Sequence, residues 1–245
     1  MVTGGASGIG YATVNEFAKE GATVAIFDYD EEIGKKAEEQ LRSEGKNVTF
    51  YKVDVCSFGD VKNAVYKFAE QNGGVIHHLV NGAATFIFKG LDATLEDFNK
   101  TFTTNVSGYA FTVQAVHPFM KKAGGKGCSI INIASVSGSR PEANKWTYNS
   151  SKAAVLTLTK CMALDLSKDG IRVNSVSPAG TWTSALLNTL PGPGGREKWE
   201  PIFAPQYMLH RCAEPIEIAR PILFLCSEDA SFITAIDLPI DGGHM

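Results

Sequence analysis

The chain has 245 residues, of which 44% are hydrophobic and 20% are charged, with a formal net charge of −3 and a pI near 6.0. These values are typical of a globular domain and exclude a largely disordered chain. The slightly acidic balance, without any run of Lys or Arg, also excludes a general affinity for nucleic acid or for an anionic membrane.

The cysteines indicate a reducing compartment. All five are far apart in the sequence and none forms a Cys-x-x-Cys pair. We interpret them as reduced thiols and predict no metal site. We also expect no membrane span, because no apolar run is long enough, and no signal peptide, because a glycine-rich turn begins at Gly4. The sequence therefore predicts a cytoplasmic protein.

The hydrophobic pattern alternates between short buried runs and amphipathic segments. Strands are predicted at residues 2–3, 22–27, 48–53, 76–80, 129–134, 172–177 and 237–240, and helices at 12–18, 31–44, 60–71, 98–122, 148–167 and 215–226. Strands that alternate with helices imply a parallel sheet with helices on both faces. No repeat or boundary interrupts the alternation, so we predict one α/β domain over residues 1–245.

Two segments depart from this pattern. The first strand has only Met1 and Val2 before the glycine turn, whereas a central strand usually has about five or six residues. We expect a strand this short to leave backbone groups of its neighbours unpaired, at about 1–3 kcal/mol each. The second segment is the irregular insert at residues 181–212, rich in Pro, Gly and aromatic residues. A long insert of this kind is typically functional, and we predict a mobile lid over a substrate site.

The glycine turn predicts a phosphate-binding site. Gly4-x-x-x-Gly8-x-Gly10 joins the first strand to the first helix, where backbone N–H groups at a helix N-terminus bind phosphate. Asp28 ends the second strand 18 positions after Gly10, close to the roughly 20-residue spacing of a carboxylate that binds the adenosine ribose. Because a carboxylate repels a 2′-phosphate, NAD is predicted in preference to NADP. Asp54 and Asn81 end the next two strands at the same edge, where either is also able to cap a loop.

A Tyr and a Lys in the middle of the chain indicate proton chemistry. Tyr148 and Lys152 are four positions apart, which places both side chains on one face of a helix. A phenol with its usual pKa near 10 is a poor base at neutral pH unless a cation stabilises the phenolate. Lys152 is the predicted source of that charge.

Taken together, these residues give the chain a resemblance to the short-chain dehydrogenase/reductase family along essentially its whole length. The motifs occur in the family's order: Thr3-Gly4-x-x-x-Gly8-x-Gly10, Asp54-Val55, Asn81, Asn105, Ser135, Tyr148-x-x-x-Lys152 and Asn174-x-Val176-x-Pro178. The resemblance implies a Rossmann-like doubly wound sheet of about seven parallel strands and a nicotinamide cofactor. It also implies hydride exchange between an alcohol and a carbonyl.

The resemblance further implies a catalytic role for four residues. Tyr148 is the expected general acid/base, and Lys152 is expected to lower its pKa and to bind the nicotinamide ribose. Ser135 is expected to orient the substrate oxygen, with Ser137 as its nearest rival. Asn105 is expected to hold a water molecule behind Lys152.

The same family resemblance assigns the cofactor contacts. Two local departures from the family pattern affect them, Asn81-Gly82-Ala83-Ala84 after the fourth strand and Pro178-Ala179-Gly180 after the sixth. The second departure predicts that the nicotinamide amide contacts the Thr181 backbone and the Thr183 hydroxyl. Besides Tyr148 and Lys152, the predicted cofactor residues are Gly4, Ser7, Gly8, Ile9, Gly10, Asp28, Asp54, Val55, Asn81, Gly82, Pro178, Thr181 and Thr183.

The predicted substrate pocket is mostly apolar and aromatic. Its candidate walls are Phe86, Pro141, Glu142, Trp146, Trp182, Leu186, Leu187, Trp199, Phe203, Tyr207 and Met208. Apart from Arg196 and Arg211 in the lid, no cation is positioned to pair with a substrate carboxylate, so we predict a hydrophobic secondary alcohol or ketone as substrate. The alternatives are an NADP-preferring carbonyl reductase and a non-catalytic NAD-binding regulatory protein. We also expect a homo-oligomer, a tetramer or a dimer.

Overall fold

A computed structural model describes residues 1–192 and 194–244; Pro193, within the Pro-Gly run of the lid, and Met245 lie outside the described residues. The described strands form one seven-stranded sheet in the order β3-β2-β1-β4-β5-β6-β7, and all neighbours are parallel. They are β1 (Val2–Thr3), β2 (Val24–Asp28), β3 (Val48–Lys52), β4 (His78–Asn81), β5 (Ser129–Ile133), β6 (Arg172–Pro178) and β7 (Asp237–Ile240). The predicted doubly wound α/β fold is confirmed.

Helices cover both faces of the sheet. They are α1 (Gly8–Lys19), α2 (Glu31–Ser43), α3 (Phe58–Gln71), α4 (Leu95–Phe102), α5 (Gly108–Lys122), α6 (Trp146–Leu166), α7 (Ser184–Thr189), α8 (Arg196–Phe203) and α9 (Pro215–Cys226). Alternate side chains of each strand point to opposite faces. In β2, Val24 and Ile26 pack with α1, α2 and α9, whereas Ala25 and Phe27 pack with α3, α5 and α6. Burial on both sides explains the continuous apolar runs of the strands.

The predicted helix at residues 98–122 is longer in the structure and is not uniform. It begins with α4 at Leu95, continues through a π-helical turn at Thr103–Ser107 and ends as α5 at Lys122. A π-helical turn fits one extra residue into a helix and is common at functional sites. The turn rotates Asn105 into the buried interior. The sequence analysis did not predict this turn.

The short first strand is paired on both sides. Val2 and Thr3 pair with β2 on one side and with β4 on the other. Below them, the amino ends of β2 and β4 border a cavity of about 500 Å³ rather than a strand. Apolar side chains that include Phe17, Phe68 and Ile76 line this cavity. The carboxyl end of the sheet, where the candidate site lies, is fully paired across β1.

Candidate active site

The glycine turn forms a cradle at the carboxyl end of β1. Gly4 and Gly8 adopt left-handed backbone conformations with φ of 64° and 53°. A Cβ atom at Gly10 would lie 2.0 Å from the Gly4 carbonyl oxygen, so only glycine allows α1 to approach the turn this closely. Ser7 is the exposed N-cap residue of α1, and its side chain does not cap the helix. The N-terminus of α1, which includes Ile9, is thereby open to an anion.

Asp28 lies beside this cradle, as its spacing predicts. One carboxylate oxygen accepts a hydrogen bond from the Ala6 N–H at 3.2 Å and the other from the Asp30 N–H at 3.2 Å. Partial burial raises the pKa of Asp28, and the backbone hydrogen bonds oppose that rise. The carboxylate is therefore held next to the turn with acceptor capacity remaining, and the cradle and Asp28 fit the diphosphate and adenosine ribose of a nicotinamide dinucleotide.

The polar residues at the ends of β3 and β4 differ in exposure. Asp54 is exposed and accepts the Cys56 N–H at 2.9 Å, while Val55 next to it is buried. Asn81 is fully buried: its amide donates to the Asn132 oxygen at 2.9 Å, and its oxygen accepts the Thr112 hydroxyl at 2.6 Å. Both ends of the Asn81 side chain thus tie β4 to its neighbours β5 and α5. The sequence could not show this internal use.

Gly82 accounts for the departure from the family's sequence pattern after β4. A Cβ atom there would lie 2.9 Å from the Thr3 carbonyl oxygen and 3.1 Å from the Ile133 side chain. The Gly82 N–H donates to the Thr3 carbonyl at 3.1 Å and to its hydroxyl at 3.0 Å. Glycine at this position lets the end of β4 pack directly against β1, at the base of the cradle.

Tyr148 lies in the first turn of α6, close to Ser135 at the end of β5. Its ring is buried between Phe86, stacked at 5.4 Å between centroids, and Phe88, edge-on at 5.3 Å. Burial raises the pKa of Tyr148 to about 12, while a hydrogen bond with the Ser135 side chain opposes the rise. Ser135 also accepts the Ser137 N–H at 3.1 Å. Ser135 is therefore the serine beside the phenol, and Ser137 points elsewhere.

Lys152 lies one helical turn after Tyr148 but is bound to the backbone of the sheet. Its ammonium group donates to the Ile133 carbonyl at 2.7 Å and lies 5.8 Å from the centroid of the Tyr148 ring. Burial lowers the pKa of Lys152 to about 7. The sequence predicted that Lys152 lowers the pKa of Tyr148. In the protein alone the pKa of Tyr148 moves in the opposite direction, because burial penalises the charged forms of both groups.

Asn105 connects the π-helical turn to α6. Its side-chain oxygen accepts the Thr85 N–H at 2.7 Å, and its amide donates to the Thr85 carbonyl at 3.1 Å and to the Ser151 hydroxyl at 3.0 Å. Ser151 in turn donates to the Tyr148 carbonyl at 2.8 Å. Asn105 therefore fixes the loop after β4 against the helix that carries Tyr148. Both of its amide protons are used within the protein, which leaves only its oxygen for a further partner.

The segment after β6 returns to the glycine cradle. Pro178 is buried at the end of β6, and Thr181 pairs with Ala213 in an isolated bridge. Thr183 caps α7 by accepting the Leu186 N–H at 3.1 Å. A Cβ atom at Gly8 would lie 3.1 Å from the Thr183 methyl group, so the start of the lid lies directly over the turn. Of these residues, Thr183 contacts the glycine cradle, and the predicted contacts with the nicotinamide stay a prediction.

Residues 181–212 are more regular than their composition indicates. The segment contains α7 and α8, and the Phe203 ring packs against both Trp182 and Trp199, with centroid distances of 6.3 and 6.0 Å. Glu200 joins the parts: it accepts the Trp182 indole N–H at 2.6 Å and the Cys212 N–H at 2.9 Å. We call this set of bonds the lid latch.

The two lid arginines are already paired. Arg196 binds Glu200 at 2.7 Å and also contacts Glu214. Arg211 forms two hydrogen bonds with Glu217, both at 2.6 Å. Neither is therefore a ready partner for a substrate carboxylate.

Comparison with known proteins places this geometry in a family. A model of the short-chain dehydrogenase/reductase family, described as enoyl-(acyl carrier protein) reductase, matches residues 4–245. The chain belongs to the short-chain dehydrogenase/reductase family. As a member of it, the chain is an NAD(P)-dependent oxidoreductase, and the predictions of the family and of an enzyme are both confirmed.

Two curated relatives and one solved structure span nearly the whole of this family member. A 2,5-dichloro-2,5-cyclohexadiene-1,4-diol dehydrogenase of Sphingobium indicum is 35% identical, over 99% of this chain and 94% of the relative. A cyclopentanol dehydrogenase of Comamonas is 34% identical, over 100% of this chain and 95% of the relative. The structure of ElxO with NADP bound is 30% identical with a TM-score of 0.87, covering 98% of this chain and 96% of ElxO.

Sequence reasoning missed several contributors to this short-chain dehydrogenase/reductase site. Phe88, Thr85 and Ser151 contact Tyr148 or Asn105, yet no spacing rule pointed to them. Among the described residues, no helix has both the length and the apolar character that a bilayer crossing requires. The same part of the chain brings no three His, Cys, Asp or Glu side chains together as metal ligands.

Proposed function

We propose that this enzyme transfers a hydride between NAD and the carbinol carbon of a hydrophobic secondary alcohol, or in reverse to a ketone. The observation that carries the proposal is the position of the Tyr148 phenol. It lies beside Ser135, between Phe86 and Phe88, at the edge of the sheet that also carries the glycine cradle. A proton-transfer group in an apolar pocket beside a dinucleotide cradle suits alcohol oxidation.

Each catalytic residue then has a role that follows from its contacts. Tyr148 takes the proton of the substrate hydroxyl, and the Ser135 hydroxyl holds the same substrate oxygen. A bound nicotinamide supplies the hydride acceptor or donor. Lys152, with a pKa of about 7, changes charge near neutral pH and favours the phenolate when it is protonated. Asn105 positions the loop after β4 through Thr85 and positions α6 through Ser151.

The cofactor preference follows from Asp28. Its partly buried carboxylate lies at the Ala6 N–H beside the cradle, where it accepts the ribose hydroxyls of NAD and repels a 2′-phosphate. ElxO shows that a similar fold holds NADP, so the preference depends on this side chain rather than on the fold. We expect NAD to bind more tightly than NADP, and Asp28→Ser to reduce the difference at least about tenfold. Fluorescence titration of both cofactors tests this; tighter NADP binding by the wild type would overturn the assignment.

The substrate class follows from the walls of the pocket. Aromatic rings surround Tyr148, and the arginines of the lid are bound to Glu200, Glu214 and Glu217. A carboxylate substrate would therefore lack a cation partner. The two curated relatives are named for a cyclic diol and for a cyclic alcohol. Both names favour a carbocyclic secondary alcohol as the substrate of this enzyme.

A Tyr148→Phe variant tests the proposed function. The substitution removes only the phenol oxygen, so turnover of cyclopentanol and cyclohexanol should fall about 10²- to 10⁴-fold while NAD binding is retained. Absorbance of reduced nicotinamide measures turnover, and fluorescence titration measures cofactor binding. Tyr66→Phe is a matched control, because Tyr66 is exposed on α3. Full turnover by Tyr148→Phe, or a wild type that binds NAD but oxidises no alcohol, would overturn the proposal.

We further propose a cytoplasmic homo-oligomer, a tetramer or a dimer. The support is the exposure of large apolar side chains on two helices, with Leu95 of α4 and Leu164 of α6 each 77% exposed. Buried apolar surface is the main driving force of association. Light scattering should report a mass of two or four chains, and a monomer at micromolar concentration would contradict this expectation.

A further inference from the structure

Glu142 is the one charged residue among the predicted walls of the substrate pocket. Glu142 belongs to the loop between Ser135 and α6, and its side chain is 33% exposed. Its carboxylate accepts a hydrogen bond from the Ser137 hydroxyl and forms an ion pair with Lys145 at 2.5 Å. The two partners hold the carboxylate in one orientation, although neither is needed for the proposed proton transfer.

Several contacts place this carboxylate beside the reaction site. The Lys145 ammonium group lies 4.8 Å from the centroid of Phe88, whose ring packs edge-on against Tyr148. Burial is the main cause of the raised pKa values of Tyr148 and Tyr207, and the charge of Glu142 raises both further. Ser137, whose hydroxyl donates to Glu142, also donates its N–H to the Ser135 hydroxyl at 3.1 Å, so the Glu142 carboxylate lies one residue away from the serine beside Tyr148.

A carboxylate in this position favours a particular kind of substrate group. A half-buried charge among aromatic rings is costly unless donors surround it, and a carboxylate accepts more hydrogen bonds than the two provided here. Lys145 already balances the charge of Glu142, so a neutral donor fits better than a second cation. A substrate carboxylate at the same position would be repelled.

We propose that Glu142 selects substrates with a second hydroxyl group, which donates a hydrogen bond to its carboxylate while the first hydroxyl reacts at Tyr148. The preferred substrates are accordingly neutral cyclic diols or polyols rather than monohydric alcohols. The proposal rests on the proposed function and narrows its substrate class. Ser137 and Lys145 are positioning residues, because they act through Glu142.

The test compares cyclohexanol with the cis and trans isomers of its 1,2-, 1,3- and 1,4-diols. For the wild type, kcat/KM for at least one diol should exceed that for cyclohexanol by about tenfold or more, because a hydrogen bond to a charged group gives about 10- to 100-fold discrimination. Glu142→Leu should reduce the ratio of kcat/KM for that diol to kcat/KM for cyclohexanol by a similar factor. Glu142→Gln, which keeps an uncharged acceptor for Ser137 and Lys145, should reduce the same ratio by less.

A control variant distinguishes substrate selection by Glu142 from a general effect of the substitution on folding. Glu32→Gln removes an exposed carboxylate that pairs with Lys36 on α2, and it should leave the ratio unchanged. Thermal melting shows whether Glu142→Leu folds. If it does not fold, Glu142→Gln provides the test. A folded Glu142→Gln variant that keeps the full wild-type ratio contradicts the proposal.

Three results would overturn the proposal. One is a wild type that does not prefer any diol to cyclohexanol. Another is an equal loss on both substrates in Glu142→Leu, which would make Glu142 only an anchor of its loop. The third is a preference for 2-aminocyclohexanol over every diol, which would mean that the carboxylate binds a cation. By contrast, a wild type that oxidises none of these alcohols would refute the proposed function itself.

Discussion

We call the glycine turn, Ser135, Tyr148 and Lys152 the catalytic edge. Buried backbone atoms hold the side chains of this edge in position. The lid, residues 181–212, is fixed largely by side chains near the surface. Lys152 binds a carbonyl inside the sheet, whereas Arg196 and Arg211 of the lid form ion pairs with half-exposed carboxylates. Exposed ion pairs contribute about 0–1 kcal/mol each, so we expect residues 181–212 to rearrange at lower cost than the catalytic edge. The contrast suits an enzyme whose catalytic residues are rigid and whose substrate-selecting segment is able to adapt.

The largest expected effect comes from removing the cation of the catalytic edge. Lys152→Met keeps the apolar part of the side chain and eliminates the ammonium group. Turnover should fall about 10²- to 10⁴-fold because the phenolate of Tyr148 loses its support, and the Kd for NAD should rise about tenfold or more. Steady-state kinetics and fluorescence titration measure the two quantities.

A lysine on the same helix provides the control for this substitution. Lys160 is exposed near the middle of α6, and Lys160→Met should leave both quantities within about twofold, as expected for an exposed side chain without a buried partner. If Lys152→Met behaved like Lys160→Met, the cation would have no part in the chemistry.

Glycine substitutions compare the packing of the two regions. Gly10→Ala places a methyl group 2.0 Å from the Gly4 carbonyl oxygen, whereas a Cβ atom at Gly195 in the lid meets nothing within 4 Å. Overpacking against backbone should cost about 3 kcal/mol at Gly10, and the change at Gly195 should cost less than about 1 kcal/mol. Urea denaturation measures both. Equal losses would show that the lid is packed as tightly as the cradle.

The lid latch should affect substrate binding more than chemistry. In Glu200→Gln, an amide replaces the carboxylate that accepts from Trp182, Arg196 and the Cys212 N–H. We expect KM for the alcohol to rise about tenfold with little change in kcat, because weaker acceptors hold the closed lid less firmly. Glu197→Gln, at an exposed position of α8, is the matched control. A loss in kcat with constant KM would place Glu200 with the catalytic edge instead.

The last expected effect is a dependence of stability on pH. Burial lowers the pKa of Lys152 to about 7, compared with about 10.4 in the unfolded chain. Between these values the unfolded chain binds more protons, so the contribution of Lys152 to folding stability rises with pH, by about 1 kcal/mol per pH unit. The advantage in unfolding free energy of Lys152→Met over the wild type should shrink accordingly between pH 7.5 and 9.5. Parallel pH profiles would mean that Lys152 is charged in the folded protein.

The sequence was most informative where a function depends on the backbone. The spacing of Gly4, Gly8 and Gly10 predicted a cradle, because close approach and positive φ leave few residue types. The four-residue separation of Tyr148 and Lys152 likewise follows from helix geometry. The fold was predictable for the same reason, since strands buried on both faces are continuous apolar runs.

What the sequence did not reveal depends on tertiary contacts. The π-helical turn at Asn105 was not predicted, and the raised pKa of Tyr148 arises from burial by distant residues. Phe88 and Glu200 act through side-chain contacts that no motif specifies. The internal use of the Asn81 side chain also depends on such contacts, and its predicted contact with the cofactor stays a prediction.

The most direct test of the central claim is to follow one hydrogen atom. Cyclohexanol deuterated at the carbinol carbon is incubated with NAD and enzyme in a single turnover, and the reduced cofactor is analysed by mass spectrometry. The account predicts one deuterium per reduced nicotinamide for the wild type, formed about 10²- to 10⁴-fold more slowly by Tyr148→Phe. Reduced cofactor without deuterium, or an unchanged rate in Tyr148→Phe, would contradict hydride transfer assisted by this tyrosine.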